Sequence, residues 1–291
     1  MKKMLGCINC SFVILLSASQ GVNATDLDDQ KNIGQASMGV DIGNTYYFAG
    51  IRTWAASWDV PLIDLQTVIV NQPSGPVVAL QETSNQIESG ISIVPVLVAG
   101  VRHGDLTISA SYSPNTKFST DGLIAGDIKR READLSIGYS FTPNIMGSIV
   151  YRSGKVSESL TDTARNLSGS TLKYSLKGIL AGISASAPIH DGYSLYGNFA
   201  IGPAREKTEH GDSYDGIYTI GELGVARKIG GSGSSGIKSI SLQVGYRFQN
   251  IAMSDLPFST YSTVDGSLLS TSTKDISSNT HGFVVGLVGV F

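Results

Sequence analysis

The 291-residue chain is 15% charged and 41% hydrophobic, with 34 glycines, two cysteines and a formal net charge of −3. A soluble globular chain carries about 25% charged residues, so charge is scarce here, and the mildly acidic balance argues against a general nucleic-acid binder. Both cysteines, Cys7 and Cys10, lie near the start, and beyond it no apolar run approaches the roughly 20 residues of a membrane helix.

Residues 1–24 read as a secretory signal, with Lys2 and Lys3 at its start, "CSFVILLSA" as a short apolar core and a small-residue cleavage pattern ending at Ala24. Cys7 precedes that core, which argues against lipid attachment. Residues 25–45 are polar and read as a loose lead, and 46–291 as one strand domain. Its first strand, 46–58, carries Trp54 and Trp58 on one face in "RTWAASWD". Next comes "LQTVIVNQPSGPVVAL", read as a hairpin outside the membrane, with two further membrane strands as the alternative. Strands are then predicted at 90–102, 105–114, 129–141 and 145–153, followed by 171–186, 193–204, 216–228, 237–249 and 282–291. The period-two signature is clearest in "READLSIGYSF", where Ala133, Leu135, Ile137, Tyr139 and Phe141 alternate with polar or small residues. "DLTISASYS" and "KSISLQVGYRFQ" repeat it. "STYSTVDGSLLSTST" in the last gap reads as a second external hairpin.

The gaps between these segments run long, short, long, short, from 59–89 and "HG" through 115–128 and "TPN" to the final 250–281. Dyad segments of about ten residues, an even count and alternating loop lengths are the pattern of a closed antiparallel barrel in a membrane. On that reading Tyr139, Phe141, Tyr193, Phe283 and Phe291 belong to the rim on the short-turn side. Tyr151, Tyr174, Tyr246 and Phe248 belong to the opposite rim.

With the signal, the dyad strands and the closing "FVVGLVGVF", the chain resembles the Gram-negative outer-membrane β-barrel proteins. The resemblance implies a transmembrane antiparallel up-and-down barrel, all-β, of ten strands or, on the alternative hairpin reading, twelve. It also implies contact with outer-membrane lipid and lipopolysaccharide, and an assembly signal read by the barrel assembly machinery, here Phe283, Val285, Leu287 and Phe291. Gly289 is a weak occupant of its place in that row.

The inward positions carry an unusual share of charge: Arg52, Arg102, Glu132, Asp134, Arg152, Lys173, Lys177, Glu222 and Arg247. Such a set forms either a salt-bridged interior or charged rings that select an ion or small solute, here an anion. A ten-strand ring is narrow, since eight strands already leave an interior that side chains fill, so a wide porin is excluded. The expectation is a narrow channel or transport-type envelope protein, without cofactor, metal or enzyme activity. One alternative is a structural or surface-binding barrel with a plugged lumen. A hydrolase resembling the omptins or the lipid A-modifying barrels is the other, for which "TEHGDSYDG" offers Glu209, His210, Asp212 and Asp215, with His281 on the same side. "GGSGSSG" lacks the Gly-Lys-Ser/Thr ending of a phosphate loop and reads as a turn, and the Asn166 sequon carries no weight in a bacterial setting.

Overall fold

Alternation of apolar and polar residues is a backbone instruction as well as a surface one, because successive side chains of a strand point to opposite faces. The computed structural model describes residues 45–120, 126–160, 173–190, 192–209, 211–230 and 237–291. The signal, the lead through residue 44, His210, Asn166 and most of "GGSGSSG" lie outside the described residues. Among the described residues eleven strands follow one another: β1 (Thr45–Gln72), β2 (Gly75–Glu88), β3 (Ser92–His103), β4 (Leu106–Thr120), β5 (Gly126–Thr142) and β6 (Ile145–Leu160), then β7 (Tyr174–His190), β8 (Tyr193–Thr208), β9 (Ser213–Gly230), β10 (Ser239–Ser262) and β11 (Leu268–Val290).

Ten of them close into one ring of antiparallel neighbours, running from β1 and β3 through β10 and β11. The seam joins first strand to last, with Phe48 opposite Val290 and Asp59 opposite Asn279. Closure satisfies every strand edge at membrane depth, which an open sheet in hydrocarbon could not do. The outward row is apolar, as in β5, where Leu135 is 50% exposed and Ile137 and Tyr139 each 53%, while Gly138 and Ser140 between them are buried. On β11, Phe283, Val285 and Leu287 face out, as does Phe291 just after it, and Val284, Val288 and Val290 are buried. Polar within and apolar without is inside-out for a soluble protein and correct for a barrel in lipid.

β2 stands outside the ring, which excludes the twelve-strand alternative. Its partners are the upper part of β1, from Asp59↔Glu88 to Gln72↔Gly75, and the tip of β10, from Thr260↔Gln81 to Ser262↔Ala79. The ring and the extension part company at residues 57–59: Ser89 N–H donates to the Trp58 carbonyl at 2.9 Å, and Trp58 N–H donates to Ser89 Oγ at 3.0 Å. β2 therefore takes the side of β1 that β3 occupies lower down. The hairpin turn needs Gly75, whose φ of +119° is closed to side-chain-bearing residues. β10 and β11 also run far past the predicted ends, and a bulge at Met253/Leu256 with Asp255 at φ 58° bends the extension. Above the ring β1 pairs with β2, β2 with the tip of β10, and β10 with β11.

Candidate functional site in the lumen

Inward parity brings side chains from the whole ring onto one axis, and they form two linked polar groups. In the first, Glu222 on β9 accepts a charge-assisted hydrogen bond from Arg52 on β1 and another from the Tyr196 hydroxyl on β8 at 2.9 Å. Arg247, cross-strand from Glu222, brings Nη1 to 3.8 Å from its second oxygen. Tyr196 can lie there because Gly224 and Gly245 face it: a Cβ on either would stand 2.6 or 2.7 Å from the hydroxyl. In the second group, Glu132 on β5 accepts from Arg130 Nε at 3.0 Å and from Arg152 Nη2 on β6 at 2.7 Å. Arg152 Nε also lies 3.4 Å from Asp134, which accepts from Ser111 Oγ at 3.1 Å. Arg130 also donates to Thr280 Oγ1 at 2.6 Å and to Gln249, whose Oε1 takes a further bond from Tyr218 at 3.0 Å.

Aromatic faces complete the enclosure. The guanidinium of Arg130 lies 5.0 Å from the centre of the Trp58 ring, that of Arg152 4.7 Å from Tyr218, and that of Arg247 5.2 Å from Trp54. Each cation thus has a carboxylate on one side and a π-face on the other, the arrangement that best offsets desolvation of an arginine. Trp58 Nε1 donates to Ser278 Oγ at 2.7 Å, and its ring meets Phe118 edge-on at 5.2 Å. Two apolar clusters fill the remainder, one around Trp54, Trp58 and the inward valines of β3, the other around Leu180, Tyr218, Met253 and Phe258. A cavity of about 60 Å³ persists between Arg52, Asn198, Glu222 and Arg247, enough for about two waters. Each of those residues lines it and carries a buried side-chain nitrogen or oxygen that makes no hydrogen bond within the protein.

Of the residues singled out in the sequence, Arg52, Glu132, Asp134, Arg152, Glu222 and Arg247 come together in this way. Arg102 shares their parity but stands half-buried at the short-turn end, where Nε donates to the Gly104 carbonyl at 2.9 Å. Lys173 and Lys177 are corrections. Leu176, Gly178 and Leu180 are the buried positions of β7, so Lys177 projects outward, and Lys173 is 48% exposed and paired with Glu209 at 3.1 Å. Two aromatics are also corrected: Tyr174 turns inward against the Trp-containing cluster, and Phe283 packs edge-on with Tyr246 at 5.4 Å, at the outer rim. Sequence reasoning missed Arg130, Tyr196, Tyr218 and Gln249. Arg130 carried a usable signal, since it extends the parity of Glu132 and Asp134 by one step.

Of the hydrolase candidates, Glu209, Asp215 and His281 have side-chain partners. Glu209 pairs with Lys173, and Asp215 accepts from Arg205 at 2.7 and 3.1 Å, a contact that holds its carboxyl below the usual range. His281 Nδ1 lies 3.0 Å from the Tyr246 hydroxyl. No group of three metal-ligating side chains is found among the described residues. Outside the hydrocarbon band one carboxylate differs: Glu206 is 8% exposed, and burial pushes its pKa up to about 7.

No protein-family profile and no curated protein matches the chain. Solved structures with a similar course of chain include the outer-membrane protease OmpT of Escherichia coli, at 11% identity and a TM-score of 0.44, covering 88% of this chain and 99% of that one. The translocator domain of the autotransporter NalP from Neisseria meningitidis gives 10% identity and 0.40, covering 91% of each chain. Neisserial surface protein A gives 12% and 0.29, covering 84% and 98%. The closed ring, its apolar outward band and its polar interior are those of an outer-membrane β-barrel of the Gram-negative type.

Proposed function

We propose that the barrel is a non-conducting anchor whose extracellular strands form a surface-binding platform. The observation that carries this reading is the filling of the lumen: four arginines, three carboxylates and the rings of Trp54, Trp58, Tyr196 and Tyr218 interlock across its section. A selective anion path would need its basic groups exposed to passing solute; here all four arginines are paired with carboxylates and three of them are covered by aromatic faces. At the far end of the molecule, Ile69, Val78, Val264 and Leu268 are 73%, 47%, 86% and 58% exposed at the hairpin tips, well clear of lipid. Apolar groups held out in water on a paired sheet favour a protein partner.

The non-enzymatic expectation belongs to this proposal, as does the role of Phe283, Val285, Leu287 and Phe291 as an assembly signal. The test is paired. In planar bilayers the refolded chain should show no unitary conductance, and steady open steps would restore the narrow-channel reading. Cells displaying the protein should adhere to protein-coated surfaces, and removal of residues 62–86 should abolish adhesion while leaving a heat-modifiable barrel.

A further inference from the structure

On the outward face of β5 to β8, one level is basic. Arg131 stands directly opposite Lys155, Lys155 opposite Ser175, and Ser175 opposite Lys207. One level nearer the membrane, Lys177 is opposite Arg205. Like charges directly across a strand pair are unfavourable, so the sheet gains nothing from this order by itself. Arg205 is neutralised by Asp215, and Lys173 by Glu209 at 3.1 Å. Arg131, Lys155, Lys177 and Lys207 have no carboxylate in ion-pair range among the described residues. The upper level borders a groove of about 440 Å³, whose lining includes Arg131, Lys155, Lys173, Ser175, Lys207 and Glu209, so four cations face one anion that is already paired.

The height of this groove selects the ligand. Four residues down the same face, Leu135 and Tyr151 are 50% and 44% exposed and belong to the lipid-facing band. Four residues of a tilted strand rise about 10 Å, which places the cations at the headgroup level of the outer leaflet. We infer that this face binds the phosphate groups of an outer-leaflet glycolipid, with its acyl chains lying against Tyr151, Ile179 and Ile201 below. The same molecule then meets both surfaces, which a soluble phosphate cannot do. The site is separate from the lumen and does not depend on whether the barrel conducts.

The test uses the full chain refolded in phosphatidylcholine nanodiscs doped with a minority of bis-phosphorylated lipid A or of its dephosphorylated form, with retention read by native mass spectrometry. The wild type should retain the phosphorylated lipid selectively. R131Q/K155Q/K207Q should lower retention roughly 100-fold, taking a few-fold per basic residue at a charged membrane surface. R227Q/K228Q/K238Q, with the same charge change at the opposite end, should retain the lipid as the wild type does. Equal retention of the two lipids by the wild type, equal loss in both triple variants, or full displacement by inorganic phosphate would each overturn the proposal. Heat-modifiable migration reports folding, and if the first triple variant fails to fold, the wild-type comparison of the two lipids decides alone.

Discussion

Replacing Glu222 by Gln tests the logic of the lumen at its most loaded point. The amide keeps the volume and still accepts from Tyr196, so packing and one hydrogen bond survive. What is lost is a charge that serves two cations, Arg52 at 1% and Arg247 at 9% exposure. Stranding a buried charge costs about 3–5 kcal/mol, and aromatic cover from Trp54 returns only about 1–2 kcal/mol to Arg247. The net expectation for E222Q is destabilisation of about 3 kcal/mol. R52M should cost less, because Glu222 then keeps Arg247 and the Tyr196 hydroxyl as partners. Urea unfolding in lipid vesicles, followed by the fluorescence of Trp54 and Trp58, gives both values, since both rings sit inside the lumen. An E222Q cost below that of R52M would refute the view that one carboxylate holds two arginines.

Glu206 makes a signed prediction for pH. Its folded pKa, raised to about 7 from 4.5, means that between these values the folded chain holds a proton the unfolded chain has lost. The contribution of Glu206 to stability is therefore full below about pH 4.5, falls by about 3 kcal/mol as pH rises to 7, and is level above it. E206Q should flatten that slope in unfolding curves measured across the window. Trp58→Ala removes a ring that packs on Phe118, covers Arg130 and bonds Ser278, and should cost about 3–5 kcal/mol by urea unfolding. Phe291→Ser keeps the backbone bonds to Tyr47, at 2.8 and 3.3 Å, so refolding in detergent should be near normal while the heat-modifiable fraction in cells drops. Normal yields in cells would remove Phe291 from the assembly signal.

What the sequence revealed follows the boundary between two solvents. Inside the bilayer band a strand has lipid on one face and the lumen on the other, and the resulting contrast places Leu135, Ile137 and Tyr139 outward and Glu132 and Asp134 inward. Beyond the band water lies outside, and a charged residue no longer tells which way it points. Lys173 and Lys177 were misplaced for that reason. For the same reason the membrane strands are predicted to end at 58 and 249 and to resume at 282, with separate external hairpins in the gaps, whereas the backbone ladder runs from the barrel into those hairpins, to Gln72, Ser262 and Leu268.

Partnership in the lumen was hidden for a different reason. Parity tells that Arg52 and Glu222 both point inward, but the two lie 170 positions apart, and their meeting depends on the stagger with which ten strands close. Whether the lumen is open or filled is more deeply hidden still. Charge on the inner wall is compatible with either outcome; the difference lies in how far the large rings reach toward the axis. Tyr196 reaches Glu222 because two glycines on the neighbouring strands β9 and β10 leave its hydroxyl room. In "GELGVA" and "QVGYRF" those glycines read as ordinary small residues of an inward face. Their meaning appears only when a tyrosine on β8 is set against them, a pairing that the alternation of any single strand cannot display.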